Sequence, residues 1–152
     1  MQSNCKNIYK TARLVAGHTQ EKAAEMLGIS VRSLADYECG QRLPPNDVVN
    51  DMVMCYGYQP LGIQHLHKSS ELAKSLLPEI QDVVSLPEAV LTLIDAIYDF
   101  ADDKMDRELI DIARDGTIDD AERVRFERIV EKINTIVAAA LAVRCATTEE
   151  DS

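Results

Sequence analysis

Cys55, His65 and His67 are the residues of this 152-residue chain closest in type to a metal site, since a thiolate and two imidazoles together suit zinc. On a helix, however, an H-x-H pair points its rings to different faces, and no fourth ligand stands at metal-site spacing. Both histidines therefore read as exposed residues of a connector. Carboxylate chemistry is the second candidate. Counting from Asp111, acidic residues fall at positions 1, 5, 9 and 12 of a calcium-type loop (Asp111, Asp115, Asp119, Glu122), with Gly116 at position 6 and Ile118 at position 8. Ala113 occupies position 3 and removes a ligand, and a helix-ending glycine followed by an acidic helix start explains the same residues. The chain has no glycine-rich phosphate loop, G-x-S-x-G elbow or H-E-x-x-H, and its Cys and His residues form no nucleophile motif. An enzyme, a metal site and a cofactor are not expected.

Residues 20–39, QEKAAEMLGISVRSLADYEC, carry at fixed offsets the residue types that two helices joined by one tight turn require. Ala23, Leu27, Ile29, Leu34 and Tyr37 are the apolar positions that bury the pair, and Ala24 is small where the helix axes cross. Gly28 supplies the break, because the turn needs a positive φ that glycine adopts without steric cost. Ser30 follows as a hydroxyl N-cap of the second helix. This is the layout of a helix-turn-helix, whose second helix enters the DNA major groove.

Over about Lys6 to Gly57 the chain resembles the Cro/repressor-type helix-turn-helix domains, also called the xenobiotic-response-element family. The resemblance is carried by ARLVAGHTQEKAAEMLGISVRSLADYECGQRLPP, which follows the run A-G-x-T-Q-E-x-A-A-x-x-L-G-[IV]-S-x-x-[ST]-L-x-x-Y-E-x-G-x-R-x-P-P. It implies an all-α fold, with a four- to five-helix lambda-repressor-like DNA-binding domain at the N-terminus. It also implies a structural ion pair between Arg13 on the first helix and Glu38 near the end of the recognition helix. Val31, Arg32, Ser33 and Asp36 are placed by the resemblance on the groove-facing side. Arg32 leads them, because a guanidinium can bind guanine O6 and N7 together. Gln20 and Ser30 stand at helix N-termini, where phosphate is met, and Arg42 adds an ionic contact. Cys39 departs from the polar residue usual before the closing Gly40.

A formal charge of −10 runs against a nucleic-acid partner until the chain is divided. Residues 1–58 hold six basic and six acidic side chains, leaving ten basic against twenty acidic residues beyond. A neutral reading domain binds DNA weakly by itself and depends on two copies, and the acidic part must face away from phosphate. The same neutrality keeps open a different class, a protein-interaction module such as an antitoxin or adaptor that retains the fold.

Residues 1–58 are thus expected to form the DNA-binding domain, with Asn46 capping its last helix, and residues 59–86 a connector with short helices. Residues 87–146 are expected to form an antiparallel helical hairpin, and residues 147–152 a disordered acidic tail. In the hairpin, Val90, Ile94, Ile97, Ala101, Met105, Leu109 and Ile112 line one face of a helix running to about Arg114. Gly116 stops it, Thr117 offers a new N-cap, and an apolar series from Phe126 to Ala140 forms the second arm. The stretch TIVAAALAV, residues 135–143, is apolar almost all round and calls for burial on several sides. A second copy of the chain supplies that burial most economically, which makes 87–146 an oligomerisation module and the protein a homodimer. Wrapping by residues 60–86 within one chain is the alternative. The tail also resembles, less specifically, the helical tails of regulators from Gram-positive bacteria and phages. With no run of 18 apolar residues, no charged-then-apolar leader and four scattered cysteines (Cys5, Cys39, Cys55, Cys145), no membrane partner and a reducing, cytoplasmic location are expected. The function expected is a sequence-specific regulator, a repressor, that binds a double-stranded DNA operator as a dimer.

Overall fold

Asn7 starts the fold by serving two helices at once. Its Oδ1 accepts from the backbone N–H groups of Tyr9 and Lys10, capping α1 (Ile8–Val15), while its Nδ2 donates to the carbonyl of Tyr37 at 2.9 Å. The computed structural model describes residues 7–80 and 85–146, so Cys5, Lys6 and the expected acidic tail at 147–152 lie outside the described residues. Helices make up the described chain, in two compact units divided near residue 81.

The first unit continues with α2 (Gln20–Leu27), α3 (Val31–Glu38), α4 (Asn46–Tyr56), α5 (Pro60–Ser69) and α6 (Glu71–Leu76). Its core draws on each of the first five helices: Tyr9, Ala23, Leu34, Met52 and Leu61 are all at most 1% exposed. Residues 60–69, expected within a connector, thus form a full helix whose inner face belongs to this core. Pro60 in its first turn is compatible with that, because the missing N–H is one that no helix satisfies there.

His65 corrects the sequence reading most plainly, since it is 3% exposed and not a surface residue. Tyr9 Oη lies 2.8 Å from its Nδ1, and Asn46 Oδ1 lies 2.8 Å from its Nε2. With a carboxamide oxygen as acceptor, Nε2 carries the proton and Nδ1 accepts from the phenol, so the neutral ring satisfies both neighbours. Asn46 is correspondingly not the cap of α4. Pro45 holds that position, without a side-chain bond, and Asn46 turns to the imidazole instead. His67, two residues on, points away to the carbonyl of Leu77.

Burial, with Lys68 nearby, holds the His65 pKa below its ordinary 6.5, and burial pushes Tyr9 up to about 12. The unfolded chain therefore binds a proton on this histidine before the folded chain does. Stability is fully present above about pH 6.5 and falls as the pH drops through that value, by at most about 1.4 kcal/mol per unit until the folded pKa is reached. Thermal melts between pH 8 and 5 should show this decline, and a His65→Gln variant, though less stable at pH 8, should show a flatter profile. Equal slopes in both proteins would assign the dependence elsewhere.

The second unit comprises α7 (Leu86–Asp102), α8 (Met105–Ile112) and α9 (Asp120–Cys145), the last about 39 Å long at 1.5 Å per residue. The ion pairs Asp99–Lys132 (3.1 Å) and Glu108–Arg128 (2.8 Å) run in opposite order along the two arms, so the hairpin is antiparallel. Its first arm is not one helix: it breaks at Asp103–Lys104, where Lys104 takes a φ of +59°. The bend turns Met105 and Ile112 onto Ile129, and these three are buried with Phe126, Leu109 and Ile133 around them. The face that α7 buries is not the expected stripe either. Val90, Ile94 and Ile97 stay exposed, whereas Ala89 and Ala96 are the residues that α7 buries. Asp119, not Thr117, caps α9, in a capping box with Glu122 that accounts for two of the would-be calcium ligands. Among the described residues no cluster of three potential ligands could hold a metal, and no helix is long and apolar enough to cross a membrane.

Candidate nucleic-acid interface

Backbone chemistry sets the angle between α2 and α3. Thr19 Oγ1 caps α2, Gly28 ends it at φ +63°, and the N–H of Ile29 closes the turn on the carbonyl of Ala24 at 3.1 Å. Ser30 Oγ then accepts from the N–H of Ser33 at 3.0 Å and donates to Ser33 Oγ at 2.9 Å. Ser30 is therefore the cap expected, with its hydroxyl already engaged. The inner side of α3 is fixed by Leu34, Tyr37 and Glu38, all buried. That leaves Val31 and Arg32 exposed in its first turn, with Ser33 and Asp36 half-buried beside them.

Glu38 anchors the arrangement from within. Arg13 Nε and Nη2 meet its two oxygens at 2.6 and 2.8 Å, a bidentate pair whose side chains are 7% and 1% exposed. A third Arg13 nitrogen, Nη1, donates to the carbonyl of His18 at 2.7 Å and so ties in the loop before α2. The hydrogen bonds to Glu38 push the guanidinium pKa further up, against the pull of burial. Gln20 joins this network: its Nε2 donates to Glu38 Oε2 at 2.8 Å, so the side chain expected at a phosphate is spent on the interior, and only its place at the α2 N-terminus faces outward. Tyr56 packs nearby, with its ring 6.2 Å from His18. Its hydroxyl has no hydrogen-bond partner among the described residues, and burial, then the Glu38 charge, pushes it up to about 12.

Arg42 is exposed just past α3, its guanidinium 4.9 Å above the Tyr37 ring and its Nη2 donating to Tyr37 Oη at 3.3 Å. Stacking of this kind pre-orients a cation at little entropic cost. The structure thus brings Arg13, Gln20 and Glu38 into one buried cluster and leaves Val31, Arg32, Ser33, Asp36 and Arg42 along one outward helix and its exit. Asn7 was missed in the sequence, although an asparagine before the apolar rhythm of α1 is an N-cap signal. Tyr37 is core, as its spacing implies, and also the platform for Arg42.

Two short helices at this turn, the second exposed and pinned by a buried ion pair, define a helix-turn-helix DNA-binding domain. The family model described as Helix-turn-helix matches residues 10–62, which supports a Cro/repressor-type helix-turn-helix domain over this part of the chain. No curated protein and no solved structure matches the chain significantly.

Proposed function

We propose that the protein is a sequence-specific double-stranded DNA-binding regulator that represses transcription as a dimer through residues 87–146. One observation carries the reading: the first turn of α3 presents Arg32 to solvent, with no hydrogen bond or ion pair from it among the described residues, on a helix that the Arg13–Glu38 pair holds rigid. A positioned, unspent guanidinium at a recognition-helix N-terminus is what bidentate readout of guanine needs. Ser33, Asp36 and Val31 supply the neighbouring polar and apolar contacts, and Arg42 meets the backbone.

Selection of bound sequences from a random DNA pool tests it. Against the selected site, Arg32→Ala should cost about 1–3 kcal/mol and relax base preference at one position per half-site, whereas Arg42→Ala should weaken all sequences evenly and flatten the salt slope by about one unit. An Arg32→Ala protein with unchanged affinity and preference would refute this assignment. Should no DNA be bound at any salt concentration, the neutral charge of residues 1–58 would point to an adaptor or antitoxin role instead.

A further inference from the structure

Helix α7 fully buries two small side chains, half-buries Leu93 and Phe100, and leaves five large apolar ones exposed. Ala89 and Ala96 are 1% and 7% exposed on the side facing α9, while Leu91 and Tyr98 are 64% and 63% exposed and Val90, Ile94 and Ile97 about 40%. Alanines at the contact let two helix axes approach closely but bury little area, so the hairpin leaves a broad arc of apolar α7 surface exposed to water. Val90, Ile94 and Ile97 recur at i, i+4 and i+7, the spacing of a seam between packed helices.

The 3.6-residue turn, applied to two antiparallel helices, places Val137 and Leu141 of α9 on the same side of the hairpin as this seam. It places the ion pairs Asp99–Lys132 and Glu108–Arg128 on the other. One side of the hairpin is therefore apolar and the opposite side carries the paired charges.

We propose that this apolar side, centred on Ile94 and Ile97, is where a second copy of the chain packs, two hairpins forming a four-helix arrangement about a two-fold axis. The inference rests on the dimeric reading above and gives it a surface. The five exposed α7 residues leave on the order of 500 Å² per chain, less than half of it on Val90, Ile94 and Ile97, so a two-fold contact approaches the roughly 1,000 Å² of a specific interface when the bordering Leu91 and Tyr98 and the α9 residues close over the seam. Charge points to the same occupant. The chain beyond residue 58 holds ten more acidic than basic side chains, so two copies repel except where an uncharged surface meets its own image. None of the seam residues is charged.

Sedimentation equilibrium of the full chain, without DNA, at one to fifty micromolar decides the matter. The wild type should be dimeric. Ile94→Asp and Ile97→Asp should each weaken the dimer by about 30-fold or more, with helix content by circular dichroism unchanged. Val124→Asp, at a position 74% exposed elsewhere on α9, should leave the dimer intact. If the aspartate variants lose helix, the Ile94→Ala, Ile97→Ala double variant reads the same loss more gently. A wild type that stays monomeric, or seam variants that dimerise as tightly as wild type, would overturn the proposal. A dimer that binds no DNA would count against the regulator reading and leave this interface standing.

Discussion

Glu38→Ala should lower the stability of the first unit by about 3–5 kcal/mol, as measured by chemical denaturation, even though no surface contact changes. The carboxylate it removes accepts two hydrogen bonds from Arg13 and one from Gln20, at 2.6–2.8 Å, with 1% of its side chain exposed. Removal strands a guanidinium that is 6% exposed and cannot discharge by giving up its proton. The cost is the desolvation of that uncompensated charge, and it is a large fraction of the 5–15 kcal/mol that holds a typical domain folded. Arg13→Ala should be comparably damaging, and the double variant should be much less destabilised than the sum of the two, because neither charge is then left alone. Replacing the pair by Met and Leu should recover most of the loss, which separates the energetic role from the geometric one: the ion pair fixes where α3 sits more than it stabilises the fold. Glu38→Ala melting like wild type would mean that the pair is solvated and that something else orients the recognition helix.

The motif was legible because its determinants are local. A left-handed glycine, a serine cap and an apolar rhythm over twenty residues constrain φ, ψ and facing directly, and Gly28, Ser30 and Leu34 sit as those rules require. The Arg13–Glu38 pair became visible only through resemblance, since 25 residues separate the partners and nothing local joins them. His65 was misread for the same kind of reason. The alternatives for a histidine in a Pro- and Gly-containing stretch differ only in what lies across the core, and here Tyr9 and Asn46, 56 and 19 residues away, decide it. In α7 the error was one of phase. A helix apolar over a broad arc offers two candidate inner faces, and periodicity favours the bulky one, whereas close packing on α9 selects Ala89 and Ala96. The break at Lys104 has neither Pro nor Gly to announce it; burial of Met105 and Ile112 against Ile129 offsets the unfavourable φ.

Truncation after Gln81 should leave a folded monomer that binds the operator about 100- to 10,000-fold more weakly than the whole chain. The cut belongs there and not at the end of the expected 1–58 domain, because removing α5 would take Leu61, fully buried, and His65 with its bonds to Tyr9 and Asn46 out of the core. Two recognition helices reading adjacent major grooves stand about 34 Å apart, and once one domain of a linked pair is bound, the second meets its half-site at an effective concentration set by the linkage. A lone domain with six basic and six acidic residues over positions 1–58 has no excess charge with which to compensate for losing that partner. Its salt dependence should accordingly fall to about half that of the full chain, since half the phosphate contacts remain. Titrations of both proteins against one operator at several salt concentrations measure the two quantities together. Equal affinity would show that a single domain makes all the contacts, and would leave the exposed seam of α7 without a role in DNA binding. Weaker affinity with an unchanged salt slope would instead mean that residues 82–152 tune the first unit without pairing it.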